Sequence, residues 1–279
     1  MIIKKTIKSV QKYLNNKKSK LINKIAFIPT MGALHEGHLS LIKLAKERQY
    51  FIIVSIYVNP SQFDPNEDFS NYPRTLRTDL AKLKKLSVDL IFTPKIDDIS
   101  KYTFKKMKYS TFGIENKLCG RFRPHHFPGV AEIVLKFLSI LKPEVIYLGQ
   151  KDYQQFFYLK RIIEQTNLPM KVKMGKTIRE NSGLALSSRN KYLSKDDHEI
   201  SVHLYKTLKE TRLLIKNGLN LSSLLKKQKK KLLKIGFTKI DYLEVKRNDL
   251  KTSTKPHKKS RIFIAAHIND VRLIDNILI

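Results

Sequence analysis

The chain has 279 residues, 42% of them hydrophobic, enough to bury a sizeable core in one large domain or two. Its 55 lysines and arginines outweigh 24 acidic residues, giving a net charge of +31, and it has a single cysteine, Cys119. These totals exclude an intrachain disulfide, and no apolar run approaches the roughly 20 residues of a membrane helix.

A reducing cytoplasm is therefore the expected setting, with no membrane partner. The N-terminal MIIKKTIKSVQKYLNNKKSK has no uninterrupted hydrophobic stretch and no small-residue cleavage pattern, so it is not expected to be a secretory signal. The positive charge raises the question of a nucleic-acid partner. The lysines are scattered, however, and their one dense cluster, Lys226–Lys231, sits between leucine pairs in LSSLLKKQKKKLLKIG. That pattern suits an exposed helix face. Without an aromatic-interleaved basic motif, nucleic acid is not the expected partner.

In chain order, KIAFIPT (24–30) reads as a short buried strand. A helix follows from about His38 to Arg48, with Leu39, Leu41, Ile42 and Leu44 on its apolar side. FIIVSIYV (51–58) is a continuous β-branched run, as expected of a buried parallel strand. Residues 75–86 form a helix with Leu76, Leu80 and Leu83 on one face, and VDLIFT (88–93) a third strand. Val130, Ile133, Val134, Phe137, Leu138 and Leu141 follow a helical rhythm that Pro143 ends. EVIYL (144–148) is a strand, Asp152 is placed to cap a helix over 153–166, and 170–174 is another strand. This alternation predicts an α/β fold with a doubly wound parallel sheet. After about residue 176 the pattern changes. Two lysine-rich helices (about 196–216 and 221–235) precede strands at 240–245, 261–266 and 271–274, with KTSTKPHKKS (251–260) as a turn. A smaller α+β domain is expected there.

The chemistry-bearing residues fall at strand ends, where such sheets bind ligands. PTMGALHEGHLSLI (29–42) lies between the first strand and the first helix of the alternation. Gly32 permits a tight turn, and Gly37 lets backbone amides approach a ligand. The helix start favours an anion, and His35 and His38, three apart, can face the same region. Zinc proteases with H-E-x-x-H need a spacing of four, and no third ligand is evident. The stretch alone favours phosphate, leaves an incidental pair of turn histidines as second choice, and places metal last. Lys151 and Asp152 in GQKDYQQ follow another strand, and Leu186–Asn190 (LSSRN) offers two hydroxyls and Arg189, though alone it reads as a polar loop with a helix-cap serine. Gln62 and Gln155 carry neutral amides suited to a small acid bearing hydroxyls, though either alone is more often an ordinary surface residue.

PTMGALHEGHLSLI closely resembles the signature of the pantoate–β-alanine ligase family, within the nucleotidyltransferases that share an H-x-G-H motif. The similarity continues in VSIYVNPSQFDPNEDFSNYPRT (54–75), LCGRFRPHHFPGV (118–130), LGQKDYQQ (148–155), IRENSGLALSSRN (178–190) and RLIDN (272–276). The resemblance implies a Rossmann-like domain over 1–176 that binds ATP and pantoate, with 177–279 as a lid. It implies catalytic roles for His35, His38, Lys151 and Arg189. Contacts to ATP are implied for Met31, Gly32, Ala33, Leu34, Glu36 and Gly37 as well as both histidines. Gly149, Gln150, Lys151, Asp152, Ile178, Leu186, Ser187, Ser188 and Arg189 complete that set. Gln62 and Gln155 are implied to hold pantoate, with Gln62 also touching β-alanine. The reaction implied is ATP-dependent condensation through a pantoyl adenylate, releasing AMP and pyrophosphate. Mg²⁺ is expected on the β- and γ-phosphates, and a homodimer is expected. A different adenylyl- or cytidylyltransferase is the alternative, disfavoured by Gln62 and Gln155. No protein nucleophile is needed, so Cys119 is read as a packed residue. Two positions depart from the family pattern, His125 and Pro128, and both bear on the shape of the 119–129 loop.

Overall fold

The structure is a computed structural model that describes residues 1–17, 24–65, 67–104, 107–253 and 259–279. Its first part alternates β1 (Ile2–Lys4), α1 (Ile7–Asn16), β2 (Ile25–Thr30), α2 (Glu36–Lys46), β3 (Phe51–Ile56), α3 (Leu76–Lys85) and β4 (Leu90–Phe92). It continues through α4 (Ile96–Ser100), α5 (His126–Leu141), β5 (Val145–Gly149), α6 (Tyr153–Gln165) and β6 (Lys171–Gly175). The six strands are all parallel, in the order β1-β4-β3-β2-β5-β6.

Strand β2 is at the centre because its side chains are apolar on both faces. Phe27 and Ile25 join the core beneath α1, α5 and α6, with Phe27 edge-on to Phe137 at 5.8 Å. Ala26 and Ile28, pointing the other way, join the core beneath α2 and α3. Helices thus cover both faces, as a doubly wound sheet requires. From β2 the chain builds outward through β3 to β4, and β5 then returns to the opposite side of β2. The order reverses between β2 and β5, so the loops leaving these two strands border a cleft.

After β6 come α7 (Lys195–Ser201), α8 (His203–Lys216), α9 (Leu221–Ile235), β7 (Lys239–Arg247), β8 (Ser260–Ile268) and β9 (Val271–Leu278). The three strands form a separate antiparallel sheet in the order β7-β8-β9. Alternation along the strands divides the sheet between two cores. Leu243, Val245, Ile262, Ile264 and Ala266 pack with Leu204, Leu208 and Leu232 of the helices, while Tyr242, Phe263 and Ala265 join the core of the parallel sheet. Both of its faces are therefore covered, one by its own helices and the other by the first domain.

Several expectations need adjustment. The N-terminal stretch, weighed only as a targeting segment, forms β1 and α1. Thr6 caps α1 in a reciprocal pair with Ser9, and Ile7, Val10 and Leu14 are buried. The expected helix over 196–216 is two helices, α7 and α8. On α3 Leu80 and Leu83 pack against the core as expected, but Leu76 is exposed and Asp79 is buried beside Leu83. Pro128 occupies the first turn of α5, where its missing N–H costs no helical bond, and His125 just before it is exposed. Neither departure disturbs the helix. Lys226, Lys227, Lys230 and Lys231 are exposed on α9, as an exposed helix face requires. Of the turn expected at 251–260, residues 254–258 lie outside the described residues. Among the described residues, no helix is long and apolar enough to cross a membrane.

Candidate active site

The loop after β2 reverses direction through left-handed backbone at Gly32 (φ 80°) and Ala33 (φ 48°). Alanine resists this conformation, so something must hold it. The buried carboxylate of Asp79, on α3, accepts from Ala33 N–H at 2.9 Å and Leu34 N–H at 2.8 Å. Lys82, one helical turn later, donates to the Leu34 carbonyl. Three further amides are engaged. Gly32 N–H reaches Thr30 Oγ1 at 3.3 Å, Gly37 N–H reaches His35 Nδ1 at 3.1 Å, and His35 N–H reaches His38 Nδ1 at 3.4 Å.

Gly32 makes the tight turn expected of it, and the amides of Gly32 and Gly37 are bonded within the loop. The histidines offer further donors. Each ring accepts through Nδ1, so its proton lies on Nε2 and can be donated to the cleft that it lines. The two rings lie 4.1 Å apart.

Burial, more than charge in the cleft, fixes their protonation. Burial first, then His38 and Lys151, bring His35 down to about 2. Burial and Lys151 bring His38 down to about 4, against the opposing carboxylates of Asp152 and Asp79. Both imidazoles are neutral donors at neutral pH. The NMR shifts of His35 and His38 are therefore expected to stay flat from pH 8 to about 5, where ordinary histidines titrate near 6.5. The unfolded chain binds protons on these rings below about pH 6.5 and the folded chain does not, so they should erode stability as pH falls from about 6.5 towards 4. Titration of either ring near 6.5 in the ligand-free protein would contradict this assignment.

Across the switch point, β5 delivers Gly149 and the turn Gln150–Asp152. Lys151 lines the cleft near the histidines, with its Nζ 3.5 Å from Asp152 Oδ1. Asp152 does not cap α6, contrary to expectation. It stands at the N-cap position without a side-chain bond to the helix, and its carboxylate is drawn to Lys151.

Leu118, Gln62 and Gln155 line the same cavity, which measures about 1020 Å³, as do Met31, His35, Gly37, His38, Gly149, Lys151 and Asp152. Ile178, Leu186, Ser187, Ser188 and Arg189 reach it from the start of the second part. The other positions assigned to ATP, Gly32, Ala33, Leu34, Glu36 and Gln150, do not line it. Glu36 is turned outward to pair with Lys43 at 3.3 Å. Arg189 is not free to meet a ligand: its guanidinium holds Asp68 through two bonds of 2.6 and 2.9 Å. Ser188 Oγ donates to the Ala33 carbonyl at 3.1 Å, tying this loop to the first.

Sequence reading missed the residues that aim these groups. Asn59 donates to Gln62 Oε1 at 3.3 Å and to the Gly129 carbonyl at 3.1 Å. Gln62 donates to Met31 Sδ at 2.8 Å. The ring of His126 also faces the cavity, with Nδ1 2.9 Å from the Gln62 carbonyl; a carbonyl only accepts, so this contact is an Nδ1–H donation, and burial and Arg123 push the ring well below its ordinary value. Cys119 is buried, as read from sequence, with Sγ 2.9 Å from Tyr242 Oη.

A parallel sheet whose switch point brings together two histidine donors, a lysine and a serine–arginine loop defines a nucleotide-binding α/β enzyme of the Rossmann-like class. The family model for pantoate-beta-alanine ligase matches residues 2–278, and the chain belongs to that family. The pantothenate synthetase of Thermosipho africanus is 43% identical over 260 residues, covering 91% of this chain and 92% of its own. The crystal structure of pantothenate synthetase from Thermus thermophilus superposes with a TM-score of 0.90 at 32% identity, covering 100% of this chain and 99% of that one. That of the Francisella tularensis pantoate-beta-alanine ligase, complexed with beta-gamma ATP and beta-alanine, gives 0.84 at 39% identity, covering 100% and 97%.

Proposed function

We propose that this chain condenses pantoate with β-alanine at the expense of ATP, in two steps within the one cavity. The pantoate carboxylate attacks the α-phosphorus and pyrophosphate leaves. The β-alanine amine then attacks the acyl carbon of the pantoyl adenylate, giving pantothenate and AMP. The observation that carries the residue assignment is the pair of neutral Nε2–H donors at the start of α2, with Lys151 beside them. Negative charge grows on the α-phosphate oxygens as the carboxylate attacks, and donors fixed in advance favour that state over the ground state. Lys151 supplies the full positive charge. Ser188 and Arg189 reach the leaving phosphates once the nucleotide competes with Asp68 for the guanidinium.

Gln62 and Gln155 bind pantoate in this reading, and residues 177–279 act as the lid. Mg²⁺ arrives with the nucleotide, carried by phosphate oxygens. A cytoplasmic homodimer belongs to the same proposal, and light scattering at about twice 32.6 kDa checks the assembly. The decisive assay is release of AMP and pyrophosphate, which should require pantoate, with AMP also requiring β-alanine. Pyrophosphate formed from ATP without pantoate would overturn the assignment.

Gly129 gives a sharper test of the pantoate side. A Cβ there would stand 2.1 Å from the Ser61 carbonyl oxygen and 2.8 Å from Gln62 N. Gly129→Ala must displace the Asn59–Gln62 segment and is expected to raise the KM for pantoate about tenfold or more. The affinity for ATP, bound on the other side of the cleft, should change little. Equal losses for both substrates would argue against Gln62 as a pantoate ligand.

A further inference from the structure

The RLIDN stretch lies on β9, in the second domain, yet its last residue contacts the turn that carries Lys151. Asn276 is buried, and its Nδ2 donates to two carbonyls of that turn, Gln150 O at 3.1 Å and Lys151 O at 2.8 Å. Its Oδ1 accepts from Arg261 Nη1 at 2.7 Å, so both N–H donors and one of the two acceptor positions of the amide are used.

The surroundings hold Asn276 as firmly as Asn276 holds the turn. Its own N–H donates to Asp275 Oδ1 at 2.7 Å, and Arg179 grips the Asp275 carboxylate through bonds of 2.6 and 2.9 Å. The Arg261 guanidinium lies 4.3 Å from the ring centre of Tyr153, the first residue of α6. Asp152 gives α6 no side-chain cap, so the Gln150–Asp152 turn draws this side-chain support from the other domain.

The geometry points to Asn276 as a positioning residue for Lys151: it fixes the backbone from which the lysine reaches the phosphate, and so makes adenylate formation depend on docking of the second domain. This inference rests on the role given above to Lys151. A lysine displaced by about 1 Å from a developing phosphate charge loses much of its effect on the rate. Because the contact is to the backbone of Lys151 and not to the substrate, the effect should disappear once the lysine is gone.

The test uses the full chain and pantoate-dependent exchange of pyrophosphate into ATP, which reads the first step alone. Asn276→Asp keeps the shape and the acceptor for Arg261 but cannot donate to either carbonyl. Asn276→Ala removes the group without adding charge. Each is expected to slow exchange about 10- to 100-fold. The dissociation constant for ATP should stay within about threefold, and the second step, started from supplied pantoyl adenylate, should be little changed. In a Lys151→Met background the same substitutions should cost less than about threefold, the signature of a residue acting through Lys151. Exchange at the parent rate in both Asn276 variants would overturn the inference. So would an equal fold-loss with and without Lys151, or an equal loss in both steps. A Lys151→Met enzyme as fast as the parent would instead overturn the role of the lysine itself.

Discussion

Replacing His38 with alanine is expected to slow adenylate formation about 10²- to 10³-fold, the usual cost of removing one fixed donor from a developing oxyanion. The argument turns on tautomer and charge. His38 Nδ1 is occupied by the His35 N–H, and burial holds the ring neutral with a value of about 4, so its one proton sits on Nε2. A neutral donor contributes little to binding the tetra-anionic ground state. It contributes most as charge accumulates on the α-phosphate. The loss should therefore appear in kcat for pyrophosphate exchange, with the affinity for ATP changed only modestly. The fold should tolerate the change, because the bond lost inside the loop is the long 3.4 Å contact to His35 N–H, worth about 1 kcal/mol. An alanine variant with parental exchange rates would remove His38 from the chemistry. One that fails to fold would show its role to be architectural.

Much of this was legible in the sequence, and the rest was hidden for identifiable reasons. Strand β2 and helix α5 announce themselves because burial on two faces or on one helical side leaves a pattern in consecutive residues. The cluster of His35, His38, Lys151 and Ser188 was legible because each lies at a strand end or helix start in a recognisable block. Arg189 was legible as a cation at the cleft but not as the partner of Asp68, since nothing local links residues so far apart. The acceptor of the Ala33 and Leu34 amides was hidden for the same reason, since Asp79 comes from α3. The α1 stripe of Ile7, Val10 and Leu14 was present in the sequence, with its Thr6 cap, but a three-residue edge strand ahead of it gave no periodic signal. Asn276 was quoted within a block and given no role, because its partners are carbonyls, which carry no sequence signal.

Asp79 is where this hidden support should be most exposed to mutation. Its carboxylate is 1% exposed and accepts from Ala33 N–H, Leu34 N–H and the Thr75 hydroxyl. Within α3 the only sign of it was an acidic residue four before the buried Leu83. Asp79→Asn changes one oxygen to an NH₂ group, so a donor must face one of the two loop amides. A buried amide left without its acceptor costs about 1–3 kcal/mol, and the lost charge weakens the surviving bond, so a total near 2–4 kcal/mol is expected. For a chain of this size that lowers the melting temperature by about 3–7 °C. The functional loss should exceed what stability explains, because the left-handed backbone at Ala33 loses the acceptor that fixes its amide. Relaxation there shifts the Nε2 donors of both histidines away from the phosphate, so pyrophosphate exchange should fall about 10²-fold even well below the melting temperature. Asp79→Glu, which keeps the charge but lengthens the arm, should recover part of the stability and less of the rate. If Asp79→Asn melts earlier yet exchanges pyrophosphate at the parental rate, the carboxylate only holds the fold together and the histidines find their positions without it.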